Sequence, residues 1–218
     1  MTDSARAMLR EGLEALSIDD SGEIAGRLER YIDELELWNR KLRLVDATGD
    51  ELVGRHILDC LAAVPLARTV LPEGGSIADL GSGAGLPGIP FAVALPDSAV
   101  ALIERSGRRA GFLRNCRAVL GLSNVTVCER SYTAASDVRY DLVVARALTA
   151  IDDTFVDHLV RMLTDDGHGL LLKGRRERIE TELASVATTD ALFDIRPLVV
   201  PRLDAERHAV LVSRQTPD

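Results

Sequence analysis

Apolar side chains in the first part of the chain recur at the spacing of an α-helix. From Ile24 they fall at positions 24, 28, 31, 35, 38 and 42, which places them on one helical face. Similar patterns predict helices over 5–16 and 50–64, and 71–75 is a linker-like stretch. We therefore expect residues 1–70 to form an N-terminal helical extension packed on the rest of the chain.

The pattern changes after residue 75, where short apolar runs alternate with helical patterns. The runs predict strands over 76–80, 99–104, 124–128, 140–145, 168–172, 194–200 and 208–213. Helices are predicted near 88–95, 106–121, 151–163 and 176–188. Such alternation is typical of an α/β domain, here 71–218, with a mainly parallel sheet between helices. The last two strands have no helix between them, so we expect them to pair antiparallel.

Composition is that of a globular protein with a substantial core. Of the 218 residues 46% are hydrophobic, and no apolar run approaches the ~18 residues that cross a membrane. Cys60, Cys116 and Cys128 lie far apart, and no metal-site spacing is evident. We expect a cytoplasmic monomer without a membrane or metal partner. The net charge of −8 argues weakly against nucleic acid, although clustering of bases matters more than their total.

Glycines at two-residue intervals follow the first predicted strand, at Gly81, Gly83 and Gly85. Glycine lets the backbone turn sharply and lets a ligand approach without a Cβ in the way. Residues Gly83 to Gly88 also match the G-x-G-x-x-G pattern of dinucleotide-binding proteins. That match is weak, because Pro87 stands where a pyrophosphate needs free N–H groups.

An acid two residues before the first glycine favours a different cofactor. Asp79 occupies that position, as in the S-adenosylmethionine (SAM) loop of Rossmann-like methyltransferases. Glu104 ends the next predicted strand, where an acid holds the ribose hydroxyls of either cofactor. We therefore expect the glycine loop, with Asp79 and Glu104, to bind SAM.

Basic residues stand at the ends of several predicted strands. Arg146 and Lys173 each end an apolar run, and Arg130 follows another. Open α/β sheets bind ligands at the carboxyl ends of their strands. We therefore expect these three residues to converge on one rim as positioning residues, with no residue assigned to acid–base or covalent catalysis.

Two common methyl-transfer chemistries lack their residues. An amino-group methyltransferase usually carries an Asn/Asp-Pro-Pro-aromatic loop after its fourth strand, where this chain reads Ala145 to Thr149. None of the three cysteines stands where a pyrimidine C5 enzyme places its nucleophile. An aromatic nitrogen with a free lone pair, such as guanine N7, needs neither, since proximity and orientation carry most of the catalysis.

Several stretches together carry a family resemblance. They are Trp38–Lys41, Arg55–Asp59, Asp79–Pro90, Ser106–Arg109, Phe112–Arg114, Arg146–Ala147, Leu172–Gly174 and Pro201–His208. From about residue 30 to 213 the chain resembles the RsmG (GidB) family, the bacterial 16S ribosomal RNA guanine-N7 methyltransferases. The resemblance implies a Rossmann-like class I methyltransferase fold, with a seven-stranded, mainly parallel sheet and an antiparallel last strand. It also implies SAM-dependent methylation at N7 of guanine 527, in the 530 loop.

The resemblance assigns roles to particular residues. Gly81 and Leu86 fall on cofactor-binding positions, and Arg146 on the arginine at the mouth of the site. Ser131 and Tyr132 fall on the adenine side, although Tyr132 replaces the family's usual glutamate. The implied partner is 16S rRNA or the 30S subunit. A non-catalytic SAM- or nucleotide-binding regulatory module stays open as the alternative.

Two helices then supply the expected RNA footprint. Its bases are Arg105, Arg108, Arg109, Arg114, Arg117, Lys173, Arg175, Arg176 and Arg178. Nearer the N-terminus, we expect His56 to bond Asp59 or a nearby carbonyl group. We expect Trp38 to pack and Asn39 to form a local turn.

Overall fold

A seven-stranded sheet forms the centre of the molecule. The strands are β1 (Ser76–Leu80), β2 (Ala99–Ile103), β3 (Val125–Cys128), β4 (Tyr140–Arg146), β5 (Leu163–Lys173), β6 (Ala191–Pro197) and β7 (His208–Arg214). Their order across the sheet is β3-β2-β1-β4-β5-β7-β6. Strands β1 to β5 are parallel, and β7 pairs antiparallel with both β5 and β6. The computed structural model describes residues 1–18, 22–134, 137–188 and 190–215.

Helices cover both faces of the sheet. The helices that follow strands are α6 (Gly88–Ala94), α7 (Gly107–Leu120), α8 (Asp153–Arg161) and α9 (Arg176–Leu183). One apolar core joins α6 and α7 to the N-terminal helices, and a second core lies under α8 and α9. Central strands buried on both faces read as continuous apolar runs, which is why the sequence revealed them. Strand β5 begins earlier than the predicted 168–172, since its first residues are polar.

The N-terminal helices are α1 (Asp3–Ala15), α2 (Glu23–Leu42), α3 (Gly49–Leu52), α4 (Asp59–Leu61) and α5 (Val64–Val70). The single helix predicted over 50–64 is wrong in detail, because a π-helical turn over Val53–Leu58 joins α3 to α4. A 3.6-residue repeat cannot signal such a turn, which is frequent at functional sites. Within the described ranges no helix is long and apolar enough to cross a membrane.

Helix α2 lies over the loop that follows β1. The buried Tyr31 hydroxyl donates a 2.7 Å hydrogen bond to the carbonyl oxygen of Ala84. Further along, the Trp38 and Phe112 rings lie 5.8 Å apart between centroids, so α2 also packs on α7. Asn39 forms the expected turn, since its Oδ1 accepts from Leu44 N at 2.6 Å. The extension thus contacts the domain through a specific polar bond as well as through apolar burial.

We expect Tyr31→Phe to lower the free energy of unfolding by about 1–2 kcal/mol, because the buried Ala84 carbonyl loses its donor. Hydrogen exchange of the amides around Ala84 should quicken. Urea denaturation and exchange mass spectrometry measure the two effects. Tyr132→Phe is the control, because the described residues give its hydroxyl no partner. Equal stability of the two variants would show that the bond does not hold α2 in place.

Candidate cofactor and acceptor site

The loop between β1 and α6 has backbone that favours glycine. Gly83 has a φ of +56°, and a Cβ built there would meet only Gly81 O, at 3.6 Å. Glycine is therefore required at position 83 by conformation, and the space beside it is open. Gly88 has the opposite constraint, since a Cβ there would collide with Leu102 and with the Asp79 carboxylate. Gly88 thus lets α6 start close against the sheet.

Asp79 is fully buried beneath this loop. Its Oδ2 accepts from Gly88 N at 3.1 Å, while its buried Oδ1 has no hydrogen-bond partner among the described residues. Burial raises the pKa of Asp79 to about 7, because the charged carboxylate loses its hydration. One oxygen of Asp79 therefore holds the start of α6, and the other is left as an unused acceptor.

Glu104 joins the glycine loop to α7. The residue is 4% exposed. Oε2 accepts from Gly83 N at 2.9 Å, and Oε1 accepts from Ser106 N at 2.7 Å. Each carboxylate oxygen has a second lone pair, so these bonds leave acceptor capacity for a ligand. The ribose-binding role of Glu104 stays a prediction, while its hydrogen bonds to Gly83 N and Ser106 N give it a structural role in the loop.

These features fit SAM. Gly81 and Gly83 are the partly exposed positions of an otherwise buried glycine run, so backbone without a side chain faces the outside. Asp79 offers an unused carboxylate oxygen, and Glu104 lies at the adjacent strand end. Leu86 is buried in the core, so the contact expected of Leu86 would come from its backbone. The described residues contain no group of His, Cys, Asp and Glu arranged to hold a metal ion.

A cavity of about 890 Å³ lies at the carboxyl ends of β4 and β5. Arg146, Lys173 and Arg207 are among its lining residues, with Asp59 and Glu182. It adjoins the glycine loop, because Leu148, just after β4, lies so close to Gly81 that a Cβ there would collide with it. The geometry therefore places a polar, basic cavity beside the candidate cofactor loop.

The Arg146 guanidinium is held from two sides. Its Nη2 lies 3.0 Å from His56 Nδ1, and its Nη1 lies 3.4 Å from Asp59 Oδ2. Arg207 reaches the other oxygen of the same carboxylate, with Nε 2.7 Å from Asp59 Oδ1. Asp59 thus sits between two arginines, and it fixes the direction in which Arg146 presents its remaining N–H groups.

His56 completes this arrangement as a neutral acceptor. Burial, reinforced by the charge of Arg146, lowers the pKa of His56 to about 4. An arginine can only donate, so His56 Nδ1 accepts the hydrogen bond and its proton lies on Nε2. The expected partner was wrong, since the Nδ1 contact of His56 is with Arg146 and not with Asp59.

A family model described as rRNA small subunit methyltransferase G (GidB) matches residues 24–210. The chain belongs to the GidB family. Ribosomal RNA small subunit methyltransferase G of Neisseria meningitidis serogroup B is 35% identical over 208 residues, covering 95% of this chain and 97% of that protein. The protein of the same name from Ralstonia nicotianae is 37% identical over 215 residues, covering 95% of each chain.

Solved structures agree on the fold. A predicted O-methyltransferase from Agrobacterium tumefaciens matches with a TM-score of 0.56 at 22% identity, covering 72% of this chain and 81% of that chain. The predicted class I fold is confirmed by this likeness and by the strand order. Membership of the GidB family confirms the predicted enzyme class, a methyltransferase that uses SAM.

Three bases were expected to converge on one rim, and two of them, Arg146 and Lys173, line the cavity. Lys173 lines it beside Arg146, but its Nζ donates to Glu182 Oε2 at 2.7 Å and to Thr149 O at 2.9 Å. Hydrogen bonds from Lys173 help to lower the pKa of Glu182, although burial alone would raise it. Arg130 does not join them, since it contacts Ala134 O at 3.4 Å. Arg130 follows β3, and β2 and β1 lie between β3 and β4 in the sheet, so Arg130 is not among the residues that line the cavity.

The adenine-side candidates are engaged locally. Ser131 Oγ lies 2.7 Å from Thr133 Oγ1. The Tyr132 ring packs edge-on against Phe155 and His158 of α8, with centroids 6.3 Å apart in both pairs. A contact of Ser131 or Tyr132 with adenine stays a prediction, and for Tyr132 the ring already has neighbours on α8.

The candidate RNA-binding bases divide into two groups. All of those on α7 are exposed, and Arg114 alone among them forms an ion pair within the described ranges, at 2.6 Å from Glu129. On α9, Arg176 pairs with Glu180 at 2.7 Å and Arg178 with Glu182 at 3.2 Å. Such pairs reduce the positive charge that α9 offers to a phosphate, whereas α7 keeps most of its charge.

Sequence reasoning assigned no role in the site to Asp59 or Arg207, and it gave His56 a different partner. All three lie within the stretches Arg55–Asp59 and Pro201–His208 that carried the family resemblance. That was the available signal, but sequence spacing could not show that residues 148 positions apart meet at Arg146.

Asp79 predicts a specific pH dependence of stability. Its pKa of about 7 in the folded chain lies above the value of about 3.9 for an unfolded chain. Folding therefore binds a proton in this window, and Asp79 destabilises the fold as the pH rises from about 4 to about 7. We expect the stability of Asp79→Asn relative to the native chain to grow by up to about 1.4 kcal/mol per pH unit there.

Urea denaturation between about pH 5 and pH 8 measures this difference. Asp141→Asn is the control, because hydrogen bonds from Ser76 lower the pKa of Asp141, so it is ionised in both states throughout that range. Its stability difference should not vary with pH. A difference for Asp79→Asn that is equally constant would contradict the raised pKa.

Gly83→Val should abolish SAM binding. The positive φ disfavours any side chain, and a β-branched one would fill the open space beside Gly81. Isothermal titration calorimetry should show that the native chain binds SAM and neither NAD nor FAD. Gly26→Val is the control, because Gly26 lies on α2 with nothing within 4 Å of an added Cβ. Normal SAM binding by Gly83→Val would place the cofactor elsewhere.

Proposed function

We propose that this methyltransferase transfers the methyl group of SAM to N7 of guanine 527, in the 530 loop of 16S rRNA. Membership of a family of small-subunit rRNA methyltransferases supports an rRNA substrate. The observation that carries the proposal is the half-buried Arg146, fixed between Asp59 and His56 where the cavity meets the glycine loop. SAM supplies a methyl group on a positively charged sulfur.

The chemistry of the cavity favours an acceptor that needs no proton removed. His56 is neutral, but its Nδ1 is occupied by Arg146. Cys60 is buried, and desolvation raises the pKa of its thiol to about 12, so it is not a thiolate nucleophile at neutral pH. Guanine N7 has a free lone pair, and the enzyme need only orient it toward the methyl group.

Arg146 has a positioning role in this proposal. Arginine has five N–H donors, and the contacts to His56 and Asp59 occupy two of its nitrogens. The remaining donors bind acceptor oxygens of the target nucleotide and fix the plane of its base. His56 and Asp59 keep the guanidinium from turning, and Arg207 in turn holds Asp59, which makes the acceptor geometry part of the folded structure.

The substrate is held mainly through its phosphates. The exposed bases of α7 begin directly after Glu104, so they border the cofactor loop. Phosphate contacts of this kind set register, while the cavity selects the base. We place this activity in the cytoplasm, on 16S rRNA or the 30S subunit, with the enzyme acting as a monomer.

Mass mapping of 16S rRNA from cells with and without this protein tests the proposal. The methyl group at guanine 527 should be lost without the protein and restored by the native chain. SAM binding with no methyl transfer to 30S subunits or to naked 16S rRNA would instead support a regulatory module. A methyl group lost at another nucleotide would overturn the proposed position.

Arg146→Lys keeps the charge beside Asp59 but loses the fixed fork of donors. We expect methyl transfer to fall on the order of 100-fold, the cost of a small misplacement of reacting groups. The melting temperature and the SAM affinity should change little. Arg161→Lys, on the exposed end of α8, is the control for the substitution itself. Equal losses of stability and activity would make Arg146 a structural residue.

A further inference from the structure

Two segments distant in sequence share an unusual charge pattern. Residues 37–45, at the end of α2, and residues 105–118, from just before α7 to its last turn, contain eight bases and no acids. The bases are Arg40, Lys41, Arg43, Arg105, Arg108, Arg109, Arg114 and Arg117. In a chain with a net charge of −8, such a concentration needs a physical account.

The fold brings these segments together. Trp38 of α2 packs on Phe112 of α7, and Glu34 Oε2 accepts from Asn115 Nδ2 at 2.6 Å. The later residue of α2 therefore contacts the earlier residue of α7, so the two helices run antiparallel. The carboxyl end of α2 consequently lies at the amino end of α7, with Arg108 one turn before Phe112.

Most of this charge is available to a partner. All eight bases are exposed. Within the described parts of the chain, Arg114 alone among them forms an ion pair, with Glu129. The bases of α9 differ, because Arg176 and Arg178 each pair with a glutamate one turn away.

The surface also borders the place where methyl transfer occurs. Helix α2 is fixed to the glycine loop through Tyr31 and Ala84, and Glu104 joins the start of α7 to that loop by accepting from Gly83 N and Ser106 N. Both helices therefore hold the same loop, and their basic ends meet beside it.

We propose that the end of α2 and the start of α7 form one RNA-binding surface, which grips backbone phosphates next to the methylated base. The inference rests on the proposed function for its substrate. It assigns to Arg40, Lys41 and Arg43 of the helical extension a role that the footprint expected on α7 and α9 did not include. The partner is RNA because its phosphates complement the bases and the glycine loop is adjacent.

The test compares double variants by the salt dependence of RNA binding. Arg40→Gln with Lys41→Gln removes two charges from the α2 side, and Arg108→Gln with Arg109→Gln removes two from the α7 side. Arg139→Gln with Arg161→Gln is the control, since these bases lie where β4 and β5 begin, at the opposite edge of the sheet. The probes are 16S rRNA and 30S subunits from cells that lack this protein, in potassium chloride at constant magnesium.

Each phosphate contact contributes roughly 0.7–0.9 to the slope of log affinity against log salt. We expect each test variant to flatten the slope by roughly one to two units, and the control to keep the native slope. SAM affinity and the melting temperature should match the native values in all three variants, and methyl transfer should recover at saturating RNA.

Two results would overturn the surface, and they are distinguishable. If the native chain methylates the RNA and the α2 variant keeps the native slope, the surface is wrong and the proposed function stands. If the native chain neither binds nor methylates either probe, the proposed function fails and the surface fails with it. A flattened slope in the α7 variant alone would confine the footprint to α7.

Discussion

Two buried carboxylates hold the backbone of the glycine loop, and the site depends on them. Asp79 accepts from Gly88 N where α6 begins, and Glu104 accepts from Gly83 N in the middle of the loop. A buried carboxylate is costly unless it is hydrogen-bonded. These acids therefore fix the loop only while its amides point at them, and the positive φ of Gly83 is what allows that direction. The conformation of the loop and the positions of the two acids therefore depend on each other.

The helical extension supplies the second half of the site. Through Tyr31 it contacts the cofactor loop, and through His56 and Asp59 it holds an arginine from the far side of that loop. With the extension in place, the Arg146 side chain is 18% exposed and its guanidinium is bonded on two sides. The extension thus contributes to the candidate site, since His56 and Asp59 fix a group that lines the cavity.

Local patterns revealed most of the fold, and long-range contacts explain what they missed. The doubly buried strands were predicted because they are continuous apolar runs, and α2 was predicted because its buried face repeats with the period of a helix. The π-helical turn breaks that period, and Arg130 was expected at the rim because the sequence does not show that β2 and β1 lie between β3 and β4. Arg176 and Glu180 pair one helical turn apart, and the sequence shows a spacing of this kind directly. The contact between Asp59 and Arg207 joins residues 148 positions apart, and the sequence does not show it.

The contact between Asp59 and Arg207 has a consequence for the order of synthesis. Residues are made from the amino end, so Asp59 is complete long before Arg207, 148 positions later. Strand β7, which follows Arg207 directly, enters the sheet between β5 and β6. Until it does, β5 has an open edge and Asp59 lacks one of its two arginines. The lining of the cavity beside Arg146 is therefore complete only once Arg207 has been made, whereas the glycine loop is made much earlier.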